Sequence, residues 1–119
     1  MAVLSINEVE AVGTRALVEL TGEIDLDTVG QLKDALQGLL DRGITQLVID
    51  MKETSYVNSS ALAVLVKFRE TYHSQGGGIA LVAVTPRVRM PFDMLGLTIF
   101  FKFYDTVDEA KNAFPAQTT

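Results

Sequence analysis

Apolar residues begin this chain in near-alternation and then change period. Leu4, Ile6 and Val9 fall close to every second position, a turn sits at Gly13-Thr14, and Ala16-Leu17-Val18-Glu19-Leu20 resumes the extended pattern. Two such runs joined by a short turn predict a pair of strands, and the brevity of the connection makes the pair antiparallel. Thr21-Gly22-Glu23-Ile24-Asp25 ends the second strand, with Gly22 able to take the positive φ of a sharp exit. The spacing then turns helical: Val29, Leu32, Leu36, Leu39 and Leu40 keep to one stripe, and Asp25 or Asp27 is placed to cap it. Gly30 inside that helix costs about 1 kcal/mol relative to alanine. Arg42-Gly43 supplies a cationic last turn and a left-handed stop.

Gln46 to Asp50 carries Leu47-Val48-Ile49 without interruption and reads as a buried strand. A loop from Met51 to Val57 leads to a helix from Ser59 to about Gln75. Leu62, Leu65, Val66 and Arg69 share one face of it, whereas Ala63, Val64 and Phe68 fall off that face. Its first turns are thus apolar nearly all round, and some apolar surface is expected to stay uncovered. Gly76-Gly77-Gly78 ends this helix and leads to a fourth strand, Ile79 to Val84. Thr85-Pro86 opens a third helix, in which Pro91 lies deep enough to kink or break it. After Gly96-Leu97, Ile99 to Phe103 reads as a short last strand, and Thr106 with Glu109 forms a capping box for a final helix. The expected fold is α/β in the order β-β-α-β-α-β-α-β-α. It is a small, mixed but mostly parallel sheet of about five strands with about four helices. Residues 1–114 are expected to form one domain and 115–119 a frayed, flexible tail.

Composition narrows the functions open to such a domain. A formal charge of −5 argues against binding a nucleic-acid backbone, which needs a basic face. With no cysteine, disulfides, thiolate metal sites and cysteine nucleophiles are all excluded, and the single histidine, His73, excludes a multi-histidine metal site. No cofactor is implied. Met1-Ala2-Val3-Leu4-Ser5 has no basic region ahead of an apolar stretch, and no apolar run approaches a membrane span, so a cytoplasmic location is expected.

Four features invite chemistry. Gly76-Gly77-Gly78 ends a helix and precedes a strand, the reverse of a phosphate-cradling loop, and reads as a helix stop. The carboxylates Glu23, Asp25 and Asp27 lack the glycine and terminal glutamate of a calcium loop and fit solvated strand ends and a helix cap. They lie at the C-terminal edge of the sheet, where they would repel a phosphate. His73 stands about 20 Å along the helix from Ser59 and cannot act as its base, and the Gly-x-Ser-x-Gly elbow of a serine hydrolase is absent. That leaves Asn58-Ser59-Ser60-Ala61, where two hydroxyls open a helix. A serine there meets unpaired backbone N–H groups and the positive end of the helix dipole. It suits an ordinary cap and a phosphate alike, and the two uses are compatible: with Asn58 as cap, Ser59 is left to present its hydroxyl outward.

At this point the residues resemble a known family, the anti-sigma factor antagonists of the STAS domain class. The resemblance runs through Gly22-Glu23-Ile24-Asp25, the strand-ending Asp50, Asn58-Ser59-Ser60-Ala61, Pro86-Arg87-Val88-Arg89, Leu95-Gly96-Leu97 and Asp105 to Ala110. Two positions depart from it: the family's Asp-Ser-(Ser/Thr)-Gly segment has Asn58 for its aspartate and Ala61 for its glycine. The resemblance implies a switch and not an enzyme. Ser59, with Ser60 as the neighbouring alternative, would be phosphorylated by an anti-sigma factor that is also a serine kinase. The unmodified protein would bind that kinase, and a metal-dependent serine phosphatase would reverse the mark. Gly22, Glu23, Asp25, Asn58, Ser59, Ser60 and Ala61 would form the partner-binding surface. A rival expectation is an unphosphorylated scaffold or transport-accessory subunit docking through Phe68, Met90, Phe92 and Met94. A small hydrolase or nucleotide-binding enzyme ranks last, for want of a base, metal ligands or a phosphate loop.

Overall fold

The computed structural model describes residues 2–114. The elements run β1 (Leu4–Val12), β2 (Arg15–Ile24), α1 (Val29–Asp41), β3 (Gln46–Asp50), β4 (Thr54–Val57), α2 (Ser59–Ser74), β5 (Gly78–Val82), α3 (Pro86–Met94), a 3-10 turn (Thr98–Phe100), β6 (Lys102–Tyr104) and α4 (Val107–Asn112). The reading of 115–119 as a tail lies outside the described residues.

One sheet has the order β1-β2-β3-β5-β6, with β4 paired to β2 off that path. The β1–β2 hairpin is antiparallel, and every other pairing is parallel. This is the mixed, mostly parallel α/β fold that the alternation of strand and helix predicts. Strand parity divides the core in two. Ala16, Val18, Leu20, Leu47, Ile49, Ile79 and Leu81 turn to the face covered by α1, α2 and α3. Leu17, Val48, Ala80 and Val82 turn to the other face, against Ala110 of α4. Buried residues on both faces of β3 and β5 explain why those strands read as unbroken apolar runs.

Three helices stop in the same way. Gly43, Gly76 and Gly96 take positive φ, and each is followed by a backbone N–H reaching five residues back: Ile44 to Leu39, Gly77 to Tyr72 and Leu97 to Phe92. These are Schellman motifs, which satisfy the last carbonyls of each helix. The helix-stop reading of the glycine triplet therefore holds. Gly77 has a further constraint, because a Cβ there would lie 1.7 Å from the Thr45 carbonyl oxygen. At the far end of α1, Arg42 donates to both carboxylate oxygens of Glu8 at 2.5 and 3.0 Å, tying the helix to β1. That bond holds the Glu8 carboxyl below its usual range, and its small, solvent-screened contribution is lost as pH falls through the Glu8 titration.

Several expectations need correction. The stretch Met51–Val57, expected as a loop, contains β4, which brings the expected sheet of about five strands to six. In β4 the outer residues Thr54 and Val57 are buried and the middle two exposed, a pattern with no alternation to read. The buried stripe of α2 is Ala61, Leu62, Leu65, Phe68 and Tyr72. Phe68 thus faces the core, Val66 and Arg69 lie at its margin, and Val64 and Val66 pack against the cluster, leaving little of the uncovered surface expected there. The last strand starts later than expected: Ile99 is 85% exposed on the 3-10 turn and Phe101 is buried ahead of β6. Pro91 does not break α3, which continues to Met94, since a helix this short leaves few carbonyls to be deprived of a donor. Phe92 is fully buried, edge-on to Phe101 and Phe103, so the surface proposed for the rival scaffold function loses both its aromatic members and keeps only Met90 and Met94.

Gly22 and Gly38 separate two roles for glycine. A Cβ on Gly22 would lie 2.1 Å from the Val3 carbonyl oxygen at a φ of +112°, whereas one on Gly38 meets nothing within 4 Å. Gly22→Ala should therefore cost at least about 2 kcal/mol and Gly38→Ala should add about 0.5–1 kcal/mol, both read from urea unfolding midpoints.

Candidate partner-binding site

The expected site residues come from two elements that the sheet holds side by side. Only the first half of β2 pairs with β3, from Arg15 opposite Gln46 to Glu19 opposite Asp50. The chain then steps out through Met51–Glu53 and returns as β4, pairing Gly22 with Thr54, Glu23 with Tyr56 and Ile24 with Val57. Backbone bonds close both ends of this second ladder: Gly22 N–H donates to Glu53 O at 3.0 Å, and Asn58 N–H donates to Ile24 O at 3.0 Å. Side chains lock it, since the Thr54 hydroxyl donates to Leu20 O at 2.8 Å and the Ser55 hydroxyl to Gly22 O at 3.2 Å. The turn Gly22–Asp25 and the start of α2 are thus neighbours by direct hydrogen bonding.

The turn after β2 is itself pinned. Buried Thr28 donates its hydroxyl to Glu23 O at 2.8 Å and accepts from Asp25 N–H at 3.0 Å. The Asp25 carboxylate accepts from Asp27 N–H at 2.8 Å and Thr28 N–H at 3.3 Å. Of the two aspartates expected to cap α1, Asp25 organises the turn leading into it, while Asp27 is exposed and the residue at the cap is Thr28. Glu23 and Asp25 are half-buried, so the turn offers carboxylates to solvent from a fixed backbone.

At the start of α2, Asn58 has extended backbone and its side-chain oxygen accepts from Ala61 N–H at 3.0 Å. Asparagine therefore performs the capping expected of an aspartate here. Ser59 is exposed and Ser60 half-buried, and neither hydroxyl has a hydrogen-bond partner among the described residues. Both serines lie in the first turn, where the dipole favours an anion. Ala61 is different: its side chain is fully buried and has nothing to offer a partner. Its methyl packs into the core in place of the resemblance's glycine. His73 sits at the other end of α2.

Five residues near this edge escaped the sequence reading. Thr28, Thr54 and Ser55 hold the geometry, and Leu26 and Tyr56 add exposed apolar surface, at 77% and 44% exposure. The available signal was Thr54-Ser55-Tyr56-Val57, three of whose four residues favour strands.

Fold and edge together define a small α/β domain that exposes an unengaged serine hydroxyl beside an acidic turn. The chain belongs to the STAS domain family, whose profile matches residues 5–110. It is similar to the anti-sigma-F factor antagonist RsfB of Mycobacterium tuberculosis, 30% identical over 95 residues, which cover 80% of this chain and 77% of that protein. It is also similar to the anti-sigma-B factor antagonist of Bacillus subtilis, 34% identical over 80 residues, covering 67% of this chain and 72% of the relative. Among solved structures, an anti-sigma factor antagonist from Mycobacterium paratuberculosis superposes with a TM-score of 0.79 at 27% identity, covering 95% of this chain and 93% of the other. Among the described residues, no helix is long and apolar enough to cross a membrane.

The cap gives a direct check. Asn58→Ala should destabilise the domain by about 1 kcal/mol, while Asn58→Asp should match or exceed the parent because an anionic cap faces the helix dipole. Thermal or urea unfolding of the three proteins measures this.

Proposed function

We propose that this chain is an anti-sigma factor antagonist acting in the cytoplasm through residues 1–114. It binds an anti-sigma factor that is also a serine kinase. Phosphorylation of Ser59 ends that binding, and a metal-dependent serine phosphatase restores it. The protein regulates transcription by docking and catalyses nothing itself. Gly22, Glu23, Asp25, Asn58, Ser59 and Ser60 form the contact surface, with Ala61 holding the helix start from beneath.

The observation that carries this reading is the unengaged, exposed hydroxyl of Ser59, held against a rigid acidic turn. A hydroxyl already committed to capping would have to break a bond before modification, but Asn58 does the capping. A phosphate adds about −1.5 to −2 charges at neutral pH. The helix dipole tolerates that charge in the free protein. In a desolvated interface beside Glu23 and Asp25 it costs several kcal/mol, and about 4 kcal/mol is a thousandfold in affinity. The named relatives supply the class of partner.

The rival reading, an unphosphorylated scaffold or transport-accessory subunit, rests on Met90 and Met94 alone once Phe68 and Phe92 are found in the core. One experiment separates the two. Ser59→Ala should keep its affinity for the cognate kinase, and Ser59→Asp should lose about tenfold or more. Incubation with kinase and ATP should add one phosphate to the parent chain and none to Ser59→Ala. An unchanged intact mass, or equal binding by Ser59→Asp, would reject the switch.

A further inference from the structure

A groove of about 330 Å³ opens at the far end of α2, between that helix, the start of β5, the edge strand β6 and the end of α4. Its described walls carry Arg69, His73 and Lys102, three rings, Phe100, Tyr104 and Phe114, and the backbone of the glycine triplet, and no carboxylate. We propose that it is a binding site for a small organic anion with a flat apolar body, such as an aromatic phosphate or carboxylate.

Charge makes the first argument. The chain has 15 acidic residues against 10 lysines and arginines, yet Arg69, His73 and Lys102 have no ion-pair partner among the described residues. Two unpaired cations, Arg69 and Lys102, beside one concave surface repel each other, and an anion in the groove relieves that repulsion. Arg69 and His73 are one helical turn apart on α2, so they face the groove from one side while Lys102 faces it from β6. An anionic head between them meets the Arg69 guanidinium on one wall, with the His73 ring as a hydrogen-bonding neighbour, and the Lys102 ammonium on the other.

The rings make the second. Phe100 is 38% exposed on the 3-10 turn, although its neighbour Phe101 is buried, and the Arg69 guanidinium lies 6.0 Å from the Phe100 ring centroid. That arrangement keeps the cation over a ring and leaves the remaining ring surface open to a flat ligand. Gly76 has nothing within 4 Å of where a Cβ would stand, and a Cβ on Gly78 would touch the Phe114 ring at 3.6 Å, so side chains at these positions would narrow the opening. The volume is at the lower end of small-molecule sites. The groove and Ser59 lie towards opposite ends of a 16-residue helix about 24 Å long, so the inference does not rest on the proposed switch.

An amide NMR titration of the full chain tests it, using phenyl phosphate, benzoate and the neutral benzyl alcohol as probes. Saturable shifts confined to residues 69–80 and 100–104 are expected with phenyl phosphate or benzoate, and the tighter of the two identifies the preferred head group. The double variant Arg69→Gln, Lys102→Gln, whose unperturbed spectrum elsewhere verifies folding, should weaken that binding about tenfold or more. Shifts scattered over the surface, equal binding of benzyl alcohol, or full affinity in the double variant would overturn the proposal.

Discussion

The short parallel ladder between the end of β2 and β4 holds the account together. Without it, Gly22–Asp25 and Asn58–Ser60 would be the tips of two unrelated connections. With it, a bond from Asn58 N–H to Ile24 O sets the first turn of α2 against the acidic turn, and the Thr54 and Ser55 hydroxyls fasten the two strands from the side. Gly22 is where this ladder meets β1: its N–H binds Glu53, its carbonyl accepts from Ser55, and its missing Cβ lets Val3 pass. Regular structure thus positions a surface that would otherwise depend on loops, and preorganised surfaces lose less entropy on binding.

A rigid surface suits a charge-operated switch. The Ser59 hydroxyl needs no rearrangement to become available, because capping is delegated to Asn58 and core packing to Ala61. The added charge then acts by exclusion at the contact, where desolvation magnifies it, while the dipole of α2 keeps the modified fold tolerable. The two departures from the resemblance's motif leave this division of labour intact: asparagine still caps, and alanine has helical backbone and room for its methyl.

Most of the fold was legible in the sequence because local signals agreed with the tertiary outcome. The glycines after α1, α2 and α3, the Thr106–Glu109 capping box and the apolar runs of β3 and β5 each satisfy one constraint with one readable residue type. Asn58 was legible as a cap for the same reason. What escaped depended on long-range packing. Four-residue β4 exists because β2 outruns β3 and leaves backbone groups to pair, which no local pattern announces. The face of α2 was misjudged because Val66 and Phe68 fit different stripes, and only the sheet behind the helix selects Phe68 and Tyr72. Thr28 stayed hidden because its hydroxyl works on a turn three to five residues upstream. The groove between α2 and β6 was invisible for a similar reason, since its cations are distant in sequence.

The most direct test is calorimetric binding of the cognate anti-sigma factor to protein carrying phosphoserine at position 59, with its thermal midpoint measured alongside. The account predicts that binding disappears while the midpoint stays within a few degrees of the unmodified protein. Undiminished binding would contradict it, and so would a loss of binding that came only with a collapse of thermal stability.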